Sequence, residues 1–398
     1  MEWKKYTVEN ISFSIVGVIA LLMLLISFYL QSWLLFFSAT LIFVIRVVNY
    51  YYLEKLGVKL VFDNRKVRRK FFVGEKGEWE LFFDNRGVPI MNGDIRITFD
   101  EVVQPIDTSV EARLYKYEIM APFSLGYGQK IKIKIPYQTN RRGLAKIRKI
   151  ELHIPHFFGF SETVLEYKYM VKQEVLVYPR TIPVKNKEVY LSMKLGESPI
   201  KDSVYEDLLA PAGTREYLNT DSFNRIHWKA SARKQALQTK VYDRIAEQGW
   251  HLSLNIGEAH SISSYLESLV SSAAELAYFS VKNHIPFSIS INIRTAGHTP
   301  FYYIPVGLGS DHLQRVLEML AHIDYHSSIY PYHKMLFFYE RHLVNQPYFI
   351  QGGNASKDSK EFFARITKKG QQVVLLQIEK DEASLVPSQL FLDMGDIK

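Results

Sequence analysis

The sequence predicts a multidomain chain: an N-terminal two-helix transmembrane hairpin (residues 1–57), a β-sandwich domain (58–180), a junction (181–248) and an α/β domain with a mostly parallel sheet (249–398). Three observations carry that prediction. Two apolar runs of membrane-spanning length lie within the first 52 residues. From about residue 58 to 180, apolar and polar residues alternate with period two. Beyond residue 249, strand-like runs take turns with helix-like ones.

The first run, ISFSIVGVIALLMLLISFYL at 11–30, contains no charged residue. At 1.5 Å per residue it is about 30 Å long, the hydrocarbon thickness of a bilayer. The second, WLLFFSATLIFVIRVVNYYY at 33–52, is interrupted only by Arg46, toward one end, where a long side chain reaches the headgroups. Trp33 and Tyr50 to Tyr52 suit the interfacial belts. Only Gln31 and Ser32 separate the runs, so they form a tight hairpin. A cleaved signal peptide is disfavoured, because a second run follows at once and no small-x-small site lies between them. Lys4 and Lys5 precede the pair; Lys55, Lys59 and NRKVRRK at 64–70 follow it. Cations at both ends predict a multi-pass protein of the cell membrane, with its soluble domains in the cytoplasm and the lipid bilayer as one partner.

Within 58–180, GEWELFFDN, DIRITF, LYKYEIMAP, QKIKIKIPYQ, KIRKIELHIP and ETVLEYKYMV each alternate apolar and polar residues, with glycine-containing turns between. Short strands at this spacing predict a sandwich. From 249 on, WHLSLNI reads as a strand, 261–283 as a helix and PFSISINIR as a strand; helices follow at 310–322, 334–344 and 357–368, with PYFIQ and QQVVLLQIE as further strands. Strands spaced by helices predict parallel pairing with both faces covered.

The junction carries REYLNTDSFNRIHWKASAR at 215–233. The spacing predicts a helix over 222–237 capped by Asp221. On it Asp221, Arg225, Lys229 and Arg233 recur every fourth residue and share a stripe, while Phe223, Ile226, Ala230 and Leu237 form an apolar face. Trp228 falls between them. Asp221 can neutralise Arg225, which leaves Lys229 and Arg233 without a local acid. Two readings compete, a latch of buried or half-buried ion pairs tying the junction to the neighbouring sheet and a surface that meets an acidic partner or phosphate, with a plain solvated face as the remaining alternative. Solvent exposure of Arg225, Lys229 and Arg233 discriminates between them.

Composition excludes several chemistries. The 398 residues include no cysteine, which rules out disulfides, thiolate metal sites and cysteine nucleophiles. The net charge of +8 is partly local to 64–70. GLGSDH at 307–312 lacks the Gly-Lys-Ser/Thr that cradles phosphates, and there is no G-x-S-x-G elbow. His322, His326 and His333 read as a polar helix end rather than zinc ligands. The aromatics sit at alternate strand positions, as core rather than base-stacking platforms, so nucleic acid is not an expected partner.

The junction stretch GTREYLNTDSFNRIHWKASARKQALQTKVYD resembles the signature of the domain of unknown function 58 family. Arg215, Glu216, Tyr217, Asp221, Arg225, Ile226, Trp228, Lys229, Ala230, Ser231, Ala232 and Arg233 fall in register, followed by Lys240. RRG at 141–143, PHFFGF at 155–160 and VLVYPR at 175–180 resemble further family elements. The family's Gly-Asp-Asp is Thr220-Asp221-Ser222 here, and its Asp before Trp is His227, read as a surface or junction residue. The resemblance implies that the α/β domain is similar to von Willebrand factor A. That fold's metal site uses D-x-S-x-S after the first strand; Asn255, Gly257 and Ala259 stand there, with Gln351 in place of a later Asp. Such a degenerate site implies no metal, and no cofactor is expected.

The resemblance also implies a working arrangement: a non-enzymatic, membrane-anchored adaptor acting with a MoxR-type AAA+ ATPase and a transglutaminase-like membrane protein in assembly or remodelling of envelope proteins. The signature residues Arg215, Glu216, Tyr217, Asp221, Arg225, Trp228, Lys229, Arg233 and Lys240 would form its protein–protein interface. The competing expectation is an envelope enzyme or regulator acting on a cell-wall or polysaccharide precursor. That reading requires acids converging near Arg215, Tyr217 and Asp221.

Overall fold

The computed structural model describes residues 2–8, 11–106, 110–113, 115–155, 162–191, 206–218, 221–244, 249–258, 261–344, 346–355, 357–379 and 382–388. The chain divides into two compact units, 1–179 and 180–398.

The first unit runs β1 (Trp3–Val8), α1 (Ile11–Tyr29), α2 (Trp33–Lys55), β2 (Leu60–Phe62), β3 (Val67–Phe72), β4 (Lys76–Asn85), β5 (Ile90–Asp100), β6 (Val103–Pro105), β7 (Val110–Arg113), β8 (Lys116–Leu125), β9 (Lys130–Thr139), β10 (Gly143–Pro155), β11 (Glu162–Tyr167) and β12 (Gln173–Tyr178). One sheet has the order β1-β11-β10-β5-β8-β7, with β12 and β3 joined along β10; the other is β2-β4-β9-β6. They share one core, to which the first sheet contributes Ile95, Ile97, Phe99 and Phe123 and the second Trp79, Leu81, Phe83 and Tyr137. Period-two alternation is the cause. On β4 Trp79, Leu81 and Phe83 turn inward, while Glu78 and Glu80 face out to meet Lys134 and Lys132 of β9, each at 3.0 Å.

α2, at 23 residues, is long and apolar enough to cross a membrane. Gln31 takes a left-handed φ of 48° at the tight link, and α1 packs against α2. Small residues permit this: Ala20 and Ala39 are fully buried. Arg46 does not reach toward the headgroups as the sequence implied. Its guanidinium lies against Gly17 of α1, in the space that a Cβ there would fill.

The residues before α1, which read as no more than a lysine flank, form a strand. β1 pairs antiparallel with β11 from Trp3↔Tyr167 to Val8↔Glu162. Trp3 is buried, and its indole N–H donates to the Leu60 carbonyl at 3.0 Å. On the far side of the helix pair, Leu53 and Leu56 enter the same core. The chain leaves the sandwich for α1 and returns to it from α2.

The second unit runs β13 (Val184–Lys185), α3 (Lys187–Leu191), β14 (Glu206–Glu216), α4 (Trp228–Lys234), β15 (Gln238–Arg244), β16 (Trp250–Asn255), β17 (Gly257–Glu258), β18 (Ser261–Ile262), α5 (Leu266–Lys282), β19 (Phe287–Arg294), β20 (Phe301–Gly307), α6 (Ser310–Ala321), α7 (Tyr332–His342), β21 (Tyr348–Gly353), α8 (Lys357–Lys368), β22 (Gln372–Glu379) and β23 (Glu382–Pro387). Its main sheet has the order β13-β23-β22-β21-β16-β19-β20.

This corrects the expected fold class. Among the described residues 43% are strand against 31% helix, so the fold is mostly β, and the sheet is mixed rather than the mostly parallel, von Willebrand factor A-like sheet that the sequence implied. Pairing is parallel around β16 and β21, but β19–β20 and β22–β23 are antiparallel. The physical reason is connection length. Six residues join β19 to β20 and two join β22 to β23, far too few for a crossover, so both pairs close as hairpins. FYYIPVG and EASLVP were not read as strands, and they are what makes the sheet mixed.

Candidate functional site

The signature folds as a miniature of its own. β14 and β15 form a two-stranded antiparallel hairpin, with Glu216↔Gln238 and Thr214↔Lys240 among its partners. Between the strands lies no single helix over 222–237. A 3-10 turn at Phe223–Arg225 is followed by a break, and then by the two-turn α4. Long-range bonds cause the break: the His227 N–H donates to the Gln238 carbonyl at 2.7 Å, and Ile226 bridges to Thr239. Ile226 is thereby held extended, at φ −65° and ψ 131°, and His227, at φ −94° and ψ 84°, also lies outside the helical region, so neither continues a helix. The four-residue stripe from Asp221 to Arg233 is therefore divided between two elements.

Asp221 does not cap a helix. It accepts two bonds from Arg215, at 2.7 and 2.5 Å, a third from the Leu218 N–H at 3.0 Å and a fourth from the Thr239 hydroxyl at 3.1 Å. Tyr217 adds a bond from its hydroxyl to the Asp221 carbonyl at 3.2 Å. The Arg215 guanidinium, helped by the Leu218 and Thr239 donors, holds the Asp221 carboxyl down at about 2. A carboxylate so fully engaged is a poor proton acceptor, which argues against catalysis by the Arg215–Tyr217–Asp221 group.

The cap belongs to His227, which the sequence reading had set aside. Its Nδ1 accepts from the Ala230 N–H at 3.2 Å, so the ring proton sits on Nε2. Ser231, buried, donates its hydroxyl to the His227 carbonyl at 3.0 Å and accepts the Gln238 N–H at 2.8 Å, which ties α4 to β15. An Asp or Asn cap would do the job of His227 better, because its oxygen suits the helix N-terminus. His227→Asp should raise hydrogen-exchange protection of amides 228–234 by about 0.5–1 kcal/mol, and His227→Ala should lower it by a similar amount. Unchanged protection in both variants would show that the cap is idle.

What remains faces water. Of the apolar set, Ile226 is buried, but Phe223 and Leu237 are exposed; Phe223, at 68%, pairs with Trp228, at 60%, their rings edge to face at 5.7 Å. Lys229 and Arg233 are exposed and have no hydrogen-bond or ion-pair partner among the described residues. Arg225 is half-buried and partnered. Glu216 and Lys240 lie on the hairpin strands, Glu216 exposed and Lys240 half-buried. The signature thus separates into a lattice of internal bonds and a small aromatic, cationic surface. The outward aromatic pair was the feature that helical periodicity could not show.

At the strand ends of the main sheet, amides serve one another. Asn255 donates to the Asn354 carbonyl at 2.8 Å and accepts from Asn292 at 2.8 Å and from the Gly257 N–H at 3.2 Å, while Gln351 donates to Asn354 at 3.2 Å. Ala259 lies outside the described residues, as does most of PHFFGF. Among the described residues no cluster of three His, Asp or Glu side chains is placed to hold a metal ion. GLGSDH opens α6, with Gly309 at a φ of 89° and His312 buried on the Phe287 carbonyl at 2.9 Å.

No family model and no curated protein matches the chain. Among solved structures it is similar to a non-cellulosomal cohesin from the hyperthermophilic archaeon Archaeoglobus fulgidus, at 8% identity over 33% of this chain and 96% of that one, with a TM-score of 0.20. It is also similar to the third ScaB cohesin of R. flavefaciens, solved with a group 1 dockerin (11% identity, 30% and 94% covered, TM-score 0.18). A third is Spo0M, a sporulation control protein from Bacillus subtilis (12% identity, 30% and 48% covered, TM-score 0.16). At TM-scores this low, none of the three bears on what this chain does.

Proposed function

We propose that this chain is a membrane-anchored, non-enzymatic docking protein that presents its signature hairpin to an acidic face of a protein partner. The observation that carries the reading is the surface of that hairpin. Phe223 and Trp228 are exposed as a pair beside Lys229 and Arg233, which have no acidic partner among the described residues. Aromatic and arginine side chains are the residue types that dominate protein interfaces. The partner class comes from the resemblance to domain of unknown function 58, which rests on the motif residues: a MoxR-type AAA+ ATPase, working with a transglutaminase-like membrane protein on envelope clients.

The anchor in this reading is the α1–α2 pair crossing the bilayer as a hairpin, with the soluble units in the cytoplasm. β1 before α1 and β2 after α2 belong to one sandwich, so a chain that crosses once has to cross back. The lysines and arginines at both ends favour the cytoplasmic side.

The test is photo-crosslinking in native membranes from a benzoylphenylalanine placed at position 223, with the ATPase trapped by a non-hydrolysable nucleotide. An AAA+ ATPase should appear in the crosslinked product, and Arg233→Glu should reduce its yield about tenfold. Recovery of no AAA+ ATPase, or a yield indifferent to Arg233→Glu, would overturn the proposal.

A further inference from the structure

We infer that the end of the sandwich nearest α2 lies on the membrane surface and inserts Met91 and Tyr127 among anionic lipid headgroups. The inference rests on the reading of α1 and α2 as a membrane-spanning pair, and it concerns loops that the pair itself does not include.

There is no spacer between helix and sandwich. Tyr50 and Tyr51 are exposed on the last turns of α2, the depth at which tyrosines mark the headgroup layer, and one turn later Leu53 and Leu56 are already in the sandwich core. Tyr52 donates its hydroxyl to the Pro89 carbonyl at 2.8 Å. Pro89 is two residues from Met91, so a residue of the aromatic belt is tied directly to that loop.

Asn85 binds the neighbouring loops into one rim. Its side-chain amide donates to the Val88 carbonyl at 2.9 Å and the Leu125 carbonyl at 3.1 Å, and its main-chain carbonyl accepts the Gly128 N–H at 2.7 Å. The Arg86 N–H donates to the Lys59 carbonyl at 3.1 Å. Residues 57–60, 86–92 and 125–130 therefore share one end of the sandwich.

Two devices push an apolar side chain out of that rim. A register shift between Ile90 and Gly93, with Asn92 at a φ of 51°, extrudes Met91, which is 65% exposed. The turn Gly126-Tyr127-Gly128, with Gly128 at 69°, presents Tyr127 at 75%. Lys59, Arg86 and Lys130 lie exposed on the same rim and Lys55 on the last turn of α2; Asp84 takes up part of that charge, at 3.2 Å from Arg86 and 3.9 Å from Lys130, and Glu54 precedes Lys55 on α2. Apolar tips ringed by an excess of cations suit the headgroup layer of an anionic membrane.

The chain has no cysteine, so single-cysteine variants can each carry one fluorophore. Full-length Met91→Cys, Tyr127→Cys, Tyr115→Cys and Leu41→Cys would be reconstituted in phosphatidylcholine–phosphatidylglycerol vesicles with nitroxides on the headgroup or deep on the acyl chain. Tyr115 precedes β8 and Tyr127 follows it, about 30 Å apart along the strand. The deep nitroxide should quench position 41. The headgroup nitroxide should quench 91 and 127 at least about twofold more than 115, and omitting phosphatidylglycerol should lower that difference. Quenching at 41 with 91 and 127 no different from 115 would overturn this inference and leave the membrane-spanning reading standing. Absence of quenching at 41 would overturn both.

Discussion

Trp3→Ala should cost the sandwich about 3–5 kcal/mol, the range for deleting a large buried aromatic side chain. Trp3 is 2% exposed, lies edge-on to Tyr167 at 5.3 Å, contacts Phe83 at 6.3 Å and donates to the Leu60 carbonyl. Its removal leaves a cavity in the core and strips β1 of the side chain that fixes its register against β11. For a unit of this size the loss corresponds to a fall in melting temperature on the order of 10 °C. The consequence is topological as well as energetic, because β1 is the tie that brings the chain before α1 back to the body that follows α2. Thermal unfolding of the full chain in detergent, with limited proteolysis of the first ten residues, measures both effects. Trp3→Phe keeps much of the ring packing and loses the indole bond, worth about 1 kcal/mol, so it should fall between wild type and Trp3→Ala. If all three melt together, β1 is not part of the core.

β1 also marks where reading the sequence stops. Its residues, WKKYTV, carry two adjacent lysines and make sense as a strand only beside Tyr167 and Leu165, some 160 positions away. Where the pattern is local, the reading succeeds. KIKIKI on β9 has to be a strand, because alternation puts Ile135 in the core and leaves Lys132 and Lys134 to the glutamates of β4. α2 is legible by length and apolar composition alone, with Arg46 as its one interruption before the last turn. The signature shows both outcomes. Its residue types set the stretch apart from its surroundings, but the four-residue spacing of Asp221, Arg225, Lys229 and Arg233 misleads. Pairing of Ile226 and His227 with β15 interrupts the helix that local spacing favours. In the main sheet, the error lay in not reading FYYIPVG and EASLVP as strands. The short connections to β20 and β23 dictate hairpins.

A second feature was invisible to periodicity and has the larger consequence for stability in acid. WHLSLN and FSISIN alternate, and in their parallel register His251 stands beside Ser288 and Ser253 beside Ser290. The inward face toward α7 is therefore polar and buried: His251 shares hydrogen bonds of 2.8 Å with both Ser288 and Ser290, and Ser253 one of 3.0 Å with Tyr332. The His251 ring lies against that of Tyr339, tilted by 31° with centroids 4.3 Å apart, and the neighbouring Tyr303 and Phe349 bring no charge to balance an imidazolium. Burial pushes the His251 imidazole down to about 3. The unfolded chain, with an ordinary imidazole near 6.5, then takes up the proton first. Above about pH 6.5 the two states bind equally and His251 adds no pH dependence. As pH falls from there toward 3 the unfolded state is favoured by up to about 1.4 kcal/mol per unit, which amounts to roughly 2 kcal/mol at pH 5. His312, also buried and shifted down by desolvation, adds to the same slope. Carboxylates such as Glu340, held low by Lys369 and Arg365, begin to lose their share only at more acidic pH, as they protonate. The measurement is hydrogen exchange of amides 250–255 in the full chain between pH 7 and 5, corrected for intrinsic rates. Protection should fall by about 2 kcal/mol in the wild type. His251→Gln, which keeps a donor and an acceptor for the two serines but cannot ionise, should start lower and lose distinctly less over the same interval. Equal slopes in the two proteins would mean that His251 is not the group that makes the sheet sensitive to acid.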